Sequence, residues 1–417
     1  MMGKVLMIVA IAVILILIDL YIFQAVKTTL HSFTAVWKKS LMILFWSITA
    51  LSVLGIVLVN LPVSSLFSWD FKRVIIVGII IIYFSKVFGV LTLIIDDIFH
   101  AGLWVFRKFF PAENPASPSA SGITRSEFMS KASLIAVAVP LSTFSIGIIS
   151  GAHNYRLRRK TIYLPNLPAA FDGMQIGQLS DIHSGSFFSR PGVKKGIDLL
   201  IDQKPDLVFF TGDLVNDTAG EVAKYKDLFS KVKAPLGVFS TLGNHDYGDY
   251  QNWSDLQAKK NNLADLIRVH KEMGWDILLN ENRTLKVDGE EIAIIGVENW
   301  GAGRFSKYGD LEKAYQGAQD KPVKLLLSHD PSHWDTQIRP QFKDIDVTFA
   351  GHTHGFQFGV EIGNFRWSPS QYIYKQWADL HQEDNQYLYV NRGFGFLGYP
   401  GRIGIMPEVT MIELKKA

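Results

Sequence analysis

The chain has 417 residues and no cysteine, which excludes disulfide scaffolds, thiol nucleophiles, iron–sulfur clusters and cysteine-ligated zinc. Hydrophobic residues make up 48% and charged residues 19%, an apolar average that is high for a wholly soluble protein. The net charge of +3 hides an asymmetry, since residues 1–160 hold 15 Lys and Arg against 6 Asp and Glu, and residues 161–417 hold 27 against 33. An acidic second part argues against a nucleic-acid partner, which needs a basic field to neutralise phosphates, while a basic first part suits a membrane region with cationic flanks.

Residues 1–160 read as that membrane region. About 20 apolar residues at 1.5 Å each cross a hydrocarbon core of ~30 Å, and four runs have this character: 5–23, 41–61, 74–95 and 132–150. The second and third follow Lys38 and Lys39, and Lys72 and Arg73, which can hold a helix end at the headgroups. The fourth contains Pro140 and precedes the basic run Arg156, Arg158, Arg159 and Lys160. Between the third and fourth lies a Pro/Ser/Ala linker, 111–122, with little apolar content to fold around. Thr124 to Lys131 resembles a twin-arginine export signal in which Ser126 replaces the second arginine. Flanking charges balance at seven basic residues on each side, so they set no orientation for this multi-pass chain, expected in a bacterial cell membrane. Lys86 falls inside the third span, where it either marks a polar pathway or faces a partner helix.

From Thr161 onward, through 161–417, short β-type runs alternate with helical ones. Strands are expected at 174–179, 206–211 and 236–242 with amphipathic helices at 193–202 and 222–232 between them, the spacing of a layered α/β domain. Later strands are expected at 292–297, 323–328, 346–350, 356–360, 387–391 and 409–414. Polar residues of ligand type follow several of these strands directly, at the edge where sites assemble in open α/β sheets.

Five such clusters occur. Asp181 and His183 stand two apart, so an extended chain points both to one face. Gly212 permits a tight turn before Asp213, and Gly243 precedes Asn244, His245 and Asp246. His329 lies in Ser-His-Asp-Pro, and His352 and His354 in Gly-His-Thr-His-Gly. Steps of 32, 31, 85 and 23 residues separate Asp181, Asp213, Asn244, His329 and His352, each a move between strands of one sheet. Four histidines, two aspartates and an asparagine exceed one tetrahedral zinc and suit two hard or borderline cations sharing a carboxylate. Two metals about 3.5–4 Å apart stabilise the attacking and leaving oxygens of an in-line displacement at phosphorus.

The ordered series Asp181-x-His183, Gly212-Asp213, Gly243-Asn244-His245-Asp246, His329 and Gly351-His352-x-His354 resembles the calcineurin-like metallophosphoesterase superfamily, over about residues 161–417. It is most similar to the membrane-tethered bacterial branch. The resemblance implies a four-layer α/β/β/α sandwich and a dinuclear centre of two divalent ions (Mn, Fe, Zn or Mg). It places Asp181, His183 and His354 on one metal, Asp213 as bridge, and Asn244, His329 and His352 on the other. It makes His245 the acid/base group or transition-state donor, oriented by Asp246. Asn216 stands where an aspartate is common and Phe356 where a small residue is frequent, and both bear on substrate fit or on tuning of the site.

Two aromatic segments, 364–381 and 391–404, read either as loop packing or as a cap for an acyl chain or sugar in which Arg392 or Arg402 binds the substrate phosphate. His333 and His381 are read as lying at the surface or behind the ligands. The expected activity is hydrolysis of a phosphodiester or pyrophosphate in a lipid-associated or envelope substrate by metal-activated hydroxide. The alternative is a non-catalytic membrane sensor that binds a phosphorylated ligand through the same domain.

Overall fold

The computed structural model describes residues 2–61, 66–110, 124–363 and 365–417, so the 111–122 linker lies outside the described residues. Contacts divide the chain into two units, Met1–Ile146 and Gly147–Ala417.

The first unit holds helices α1 (Met2–Thr29), α2 (Ala35–Asn60), α3 (Trp69–Phe109) and α4 (Arg125–Ile146), the last running on through a π-turn at Gly147–Gly151. Four helices are long and apolar enough to cross a membrane, and their Leu, Ile, Val and Phe side chains stand exposed along them. α3 outruns the expected span because no proline interrupts the sequence before Pro111, so the helix passes Asp96 and Asp97 to Phe109. Arg125, in the arginine-signal segment, begins α4 and pairs with Asp96 on α3 at 3.1 Å. Ser133 Oγ of α4 donates to the Gly89 carbonyl of α3 at 3.0 Å. A Cβ at Gly89 would lie 2.5 Å from Val137, so only a small residue allows this approach.

Lys86 faces a partner helix. Its ammonium is paired with the buried carboxylate of Asp19 on α1. Asp19 Oδ2 also accepts from Thr49 Oγ1 of α2 at 2.7 Å and from the Tyr83 hydroxyl of α3 at 2.6 Å. Three helices are therefore fixed in register by one desolvated anion, because each alternative packing leaves a charge without partners in an apolar surrounding.

The second unit contains fourteen strands: β1 (Arg156–Leu164), β2 (Gln175–Leu179), β3 (Leu207–Phe210), β4 (Val238–Ser240), β5 (Asp276–Ile277), β6 (Glu281–Val287), β7 (Glu290–Gly296), β8 (Lys324–Leu327), β9 (Val347–Ala350), β10 (Val360–Ile362), β11 (Phe365–Trp367), β12 (Asp379–Glu383), β13 (Gln386–Val390) and β14 (Glu408–Lys416). Its helices are α5 (Arg190–Ile201), α6 (Lys226–Phe229), α7 (Leu256–Met273), α8 (Leu311–Tyr315) and α9 (Arg339–Gln341). Two six-stranded sheets form, in the orders β1-β14-β2-β3-β4-β5 and β12-β13-β9-β8-β7-β6, and β10-β11 stands apart as a hairpin.

Strand alternation explains the layering. In β3, Leu207 and Phe209 enter the core between the sheets, while Val208 and Phe210 pack outward on α5, α6 and α7. In β8, Leu325 and Leu327 face the same inter-sheet core, and Leu326 turns to the layer containing α8 and Trp334. Strands buried on both faces read as unbroken apolar runs, as Leu207–Phe210 does. The result is four layers, α/β/β/α. The parallel series β2-β3-β4 and β7-β8-β9-β13 bring the carboxyl ends of several strands to one rim of each sheet.

Several local expectations shift. The basic run after the fourth span is the first part of β1, held parallel to β14. The helix expected over 222–232 is split into a 3-10 turn at Ala219–Lys224 and the short α6, because Tyr225 (φ −127°, ψ −7°) leaves helical geometry. Residues 356–360 contain no strand before Val360, since Gly355, Phe356 and Gln357 all have positive φ.

Replacing Asp19 by Leu is expected to destabilise the first unit by about 3–5 kcal/mol, because Lys86 is left buried without its counter-ion. Adding Lys86→Met should recover most of that loss. Unfolding of the full chain in mixed micelles, measured for both singles and the double, checks the coupling.

Candidate metal centre

The loops after β2, β3, β4, β8 and β9 supply the candidate ligands, the first three from one sheet and the last two from the other, which corrects the expectation that all the clusters follow strands of one sheet. Asp181 and His183 follow β2, Asp213 follows β3, Asn244 and His245 follow β4, His329 follows β8, and His352 and His354 follow β9. The structure gathers six of them into two groups, Asp181/His183/His354 and Asp213/His329/His352, with the ligand atoms of each group within 4.8 Å of one another. Asn244 and His245 line the same cavity, of about 310 Å³, with Asp213, His183, His352 and His354.

The groups adjoin. Asp213 Oδ2 lies 3.1 Å from His329 Nε2 and 3.5 Å from His183 Nε2, placing this oxygen between the two sets. His183 Nε2 and His354 Nε2 approach to 3.0 Å, and His354 Nε2 is 3.2 Å from Asp181 Oδ1. Asn244 Oδ1 is buried without a hydrogen bond, and His329 Nε2 is buried with the Asp213 carboxylate beside it. Ring nitrogens aimed at one another, an orphaned amide oxygen and two buried carboxylates fit a pair of divalent cations with nitrogen and oxygen ligands.

Backbone geometry sets this convergence. Asp181, His183, Asp213, His352 and His354 all have positive φ, between 50° and 71°. Such conformations cost about 1–3 kcal/mol each for residues with a Cβ and persist where surrounding structure over-determines them. Here it does so by hydrogen bonds. Asp181 N–H donates to Gly212 O (2.9 Å), His183 N–H to Asp213 O (3.0 Å), His352 N–H to Asp181 Oδ1 (2.9 Å) and His245 N–H to Asp213 Oδ1 (2.9 Å). Gly351 is required by close approach, since a Cβ there would sit 2.0 Å from Ser180 Oγ and 2.2 Å from Asp181 Oδ2.

Asp246 does not orient His245. Its carboxylate accepts the backbone N–H groups of Gly243 (2.9 Å), Asp213 (2.8 Å) and Leu214 (2.8 Å), tying the β3 and β4 loops together. The orienting group for His245 is the Asn216 carbonyl, 2.8 Å from Nδ1, which leaves Nε2 as the other reactive nitrogen. Asn216 has a second task that its place in the sequence did not reveal: its side-chain Oδ1 lies 3.1 Å from His183 Nδ1 and so leaves Nε2 for metal. Thr211 O does the same for His329 at 2.7 Å. The Tyr374 hydroxyl lies 2.7 Å from His352 Nε2.

The charges are strongly interdependent. Burial favours a neutral Asp213, but His329, His245 and His183 around it hold its carboxyl well below the usual range. Burial likewise opposes protonation of His329, yet Asp213 and Asp181 push its imidazole up to about 10. Burial, then the Asp213 charge, pushes the Asp246 carboxyl up to about 7. Two anions in this space thus require a compensating positive charge, and a proton on His329 occupies the place that a cation takes over.

The arginine expectation is corrected. Arg392 and Arg402 are fully buried and neither lines the cavity. Arg392 is consumed by Glu408 and Glu361, each at 2.7 Å. Arg402 donates to the carbonyls of Arg392 (2.7 Å), Gly393 (3.1 Å) and Gly395, fastening the loop behind His354. His333 is buried rather than at the surface, bridging Ser328 and Gln337 at 2.8 Å each. His381 Nε2 meets the Ala378 carbonyl at 3.0 Å, away from the ligands. From the aromatic segments, Tyr374, Leu397 and Tyr399 do reach the cavity, joined by Phe305 and Phe356.

Two candidate metal-binding clusters on a four-layer sandwich narrow the class, and comparison with known proteins identifies it. Residues 174–356 match the family described as "Calcineurin-like phosphoesterase", and residues 4–152 match "Probable Calcineurin-like phosphoesterase, transmembrane domain". The chain belongs to the calcineurin-like phosphoesterases and is an integral membrane, metal-dependent phosphoesterase. It is 29% identical to the uncharacterized metallophosphoesterase YkuE of Bacillus subtilis over 271 residues, 63% of this chain and 86% of that one. It is 28% identical to a transmembrane protein with metallophosphoesterase domain of Danio rerio, over 65% of this chain and 60% of that one. It is 27% identical to the UDP-2,3-diacylglucosamine pyrophosphatase LpxG of Chlamydia trachomatis, over 58% of this chain and 83% of that one.

Asn216→Ala removes the acceptor that fixes the His183 ring while leaving every candidate ligand in place. Metal affinity is expected to fall about 10–100-fold, the usual effect of losing a partner behind a ligating histidine. Titration of metal-depleted protein with Mn²⁺ measures it.

Proposed function

We propose that this phosphoesterase cleaves a phosphodiester or pyrophosphate bond in a lipid-associated or envelope substrate. The observation that carries the reading is a single cavity that joins both ligand groups and His245 to an apolar wall of Phe305, Phe356 and Leu397. Charged chemistry and an apolar partner surface meet there, as an amphiphilic phosphoester requires. The similarity to a protein named as a UDP-2,3-diacylglucosamine pyrophosphatase supports the same substrate class.

In this reading Asp181, His183 and His354 hold one ion, Asn244, His329 and His352 hold the second, and Asp213 lies between them. When bound, the pair supplies the positive charge that activates water and stabilises an in-line displacement at phosphorus. The protein's own groups do the rest. His245, held through Nδ1 by the Asn216 carbonyl, presents Nε2 to the cavity and delivers a proton to the departing oxygen. Asp246 keeps the loops bearing Asp213 and His245 at fixed separation. Phe356 and Phe305 keep water from the side on which an acyl or other apolar group lies.

Chelation is expected to abolish hydrolysis of a phosphodiester by the purified full chain, with Mn²⁺ restoring it. His352→Ala should remain inactive at all metal concentrations tested, and full activity in that variant would refute the two-metal assignment. His245→Gln should retain both metals while kcat falls about 10²–10⁴-fold, the range for loss of a general acid. A panel of phospholipids, lipid-linked pyrophosphates and soluble nucleotides tests the substrate class. Preference for soluble nucleotides over every lipid would overturn it, and metal binding without turnover of any phosphoester would establish the sensor reading instead.

A further inference from the structure

The β10-β11 hairpin has two unlike faces. Val360 pairs with Trp367 and Ile362 with Phe365, all on one face by strand alternation, while Glu361 pairs with Arg366 on the other. The polar face is partnered: Glu361 bonds Arg158 and Arg392, and Arg366 bonds Asp379. The apolar face is open to solvent, with Ile362 72% and Phe365 61% exposed at the hairpin end. A bare two-stranded ribbon with its apolar side outward is unstable in water and invites a partner.

Beside the hairpin lies a trough of about 860 Å³ lined by Arg156, Arg158, Lys160 and Arg366, with Glu361 and Asp379 the carboxylates among its lining residues. The first three are alternate residues of β1 and so share one face of that strand. Four cations stand against two carboxylates here, with Arg158 paired to Glu361 and both Lys160 and Arg366 to Asp379, so a net positive charge remains in a domain whose overall sequence is acidic. β1 starts five residues after Gly151, the end of the last membrane-spanning helix, a reach of at most about 18 Å of extended chain. An apolar tip flanked by arginine and lysine, tied to the bilayer by so short a connection, has the chemistry of an interfacial membrane contact.

We propose that the β10-β11 hairpin dips its Ile362/Phe365 end into the bilayer while the Arg156–Lys160 trough binds anionic lipid headgroups, forming the face through which a membrane-resident substrate reaches the metal centre. The path is continuous along the chain: Phe356 lines the metal cavity, Phe358 packs edge-on against Trp367, and Val360 and Ile362 carry the apolar face outward. The inference deepens the proposed function and rests on its lipid-associated substrate.

The absence of native cysteine makes site-specific labelling direct. Full-length Ile362→Cys and Phe365→Cys, nitroxide-labelled and reconstituted into nanodiscs containing phosphatidylglycerol, should relax faster with dissolved oxygen than with a water-soluble nickel complex. Lys260→Cys on exposed α7 should show the reverse order. Replacing phosphatidylglycerol by phosphatidylcholine, or adding high salt, should reduce the oxygen preference at 362 by weakening the headgroup contact. Water-type relaxation at 362 and 365, matching 260, would overturn the proposal. Dipolar broadening between labels at 362 would overturn it in favour of a second copy of this chain as the occupant, and insensitivity to lipid charge would overturn the headgroup role of the trough. Because the spectra are read on metal-depleted protein, their outcome is independent of turnover: inactivity on every lipid with a membrane-inserted hairpin would count against the substrate reading alone.

Discussion

The central constraint is the desolvation of two carboxylates and several imidazoles at one point. Asp181 and Asp213 are both buried, as are His183 and His329. Like charges at such distances in a poorly solvated space repel by several kcal/mol unless opposite charge is placed among them. The protein meets this by holding backbone N–H groups against the carboxylate oxygens and by turning every neighbouring imidazole nitrogen toward a common centre. The arrangement satisfies its hydrogen bonds on the outside, crowds ring nitrogens and carboxylate oxygens against one another on the inside, and leaves Asn244 Oδ1 without a partner. Such an arrangement fits a cation site better than a polar core that happens to contain histidine.

Everything around the centre follows from keeping those loops still. Five ligand residues in left-handed backbone represent stored strain, which only a stiff frame sustains. The frame is the inter-sheet core, with Phe209 and Phe349 edge-on at 4.8 Å and Leu207, Ile294, Leu325 and Val347 fully buried around them. Asp246 and Arg402 extend this rigidity into the loops, one by accepting backbone N–H groups and the other by donating to carbonyls. Both are ionisable residues near the chemistry, and both serve the scaffold. Charge near a site is thus no guide to contact with substrate unless its hydrogen bonds have been counted.

The candidate ligands were legible because they sit just past strand ends, and strand ends are marked by apolar runs that stop abruptly. Membrane spans were legible for the same reason: length and composition suffice. What escaped was set by tertiary context. The basic run from Arg156 looked like a headgroup flank, yet its alternation with Leu157 and its pairing to β14 make it a strand. α7 was missed although Leu263, Leu266, Ile267, His270 and Met273 follow helical spacing between an Asp255 cap and Gly274. The β6-β7 hairpin was missed although Asp288-Gly289 is a strong two-residue turn signal. Asn216 was noted only as a departure from pattern; its grip on His183 depends on two loops meeting in space, which no local window contains. Arg392 and Arg402 show the opposite error, a chemical type read as a role.

The membrane region changes what the catalytic cavity has to do. In the proposed reading a tethered active site meets a bilayer-resident substrate at an effective concentration fixed by geometry rather than by its bulk solubility, so modest intrinsic affinity suffices for capture. Binding contacts can then be reserved for interactions that strengthen in the transition state, which is where they accelerate reaction. The cavity agrees with such a division: its ionisable imidazole and carboxylate groups belong to the candidate metal centre and His245, and the rest of its wall mixes Phe305, Phe356 and Leu397 with the uncharged Thr353, Gln357, Tyr374 and Tyr399. No buried arginine clamp is spent on holding the ground state. In this account the proposed contact between hairpin and bilayer provides delivery, the two sheets provide rigidity, and the concentrated charge at the strand ends is left to the chemistry.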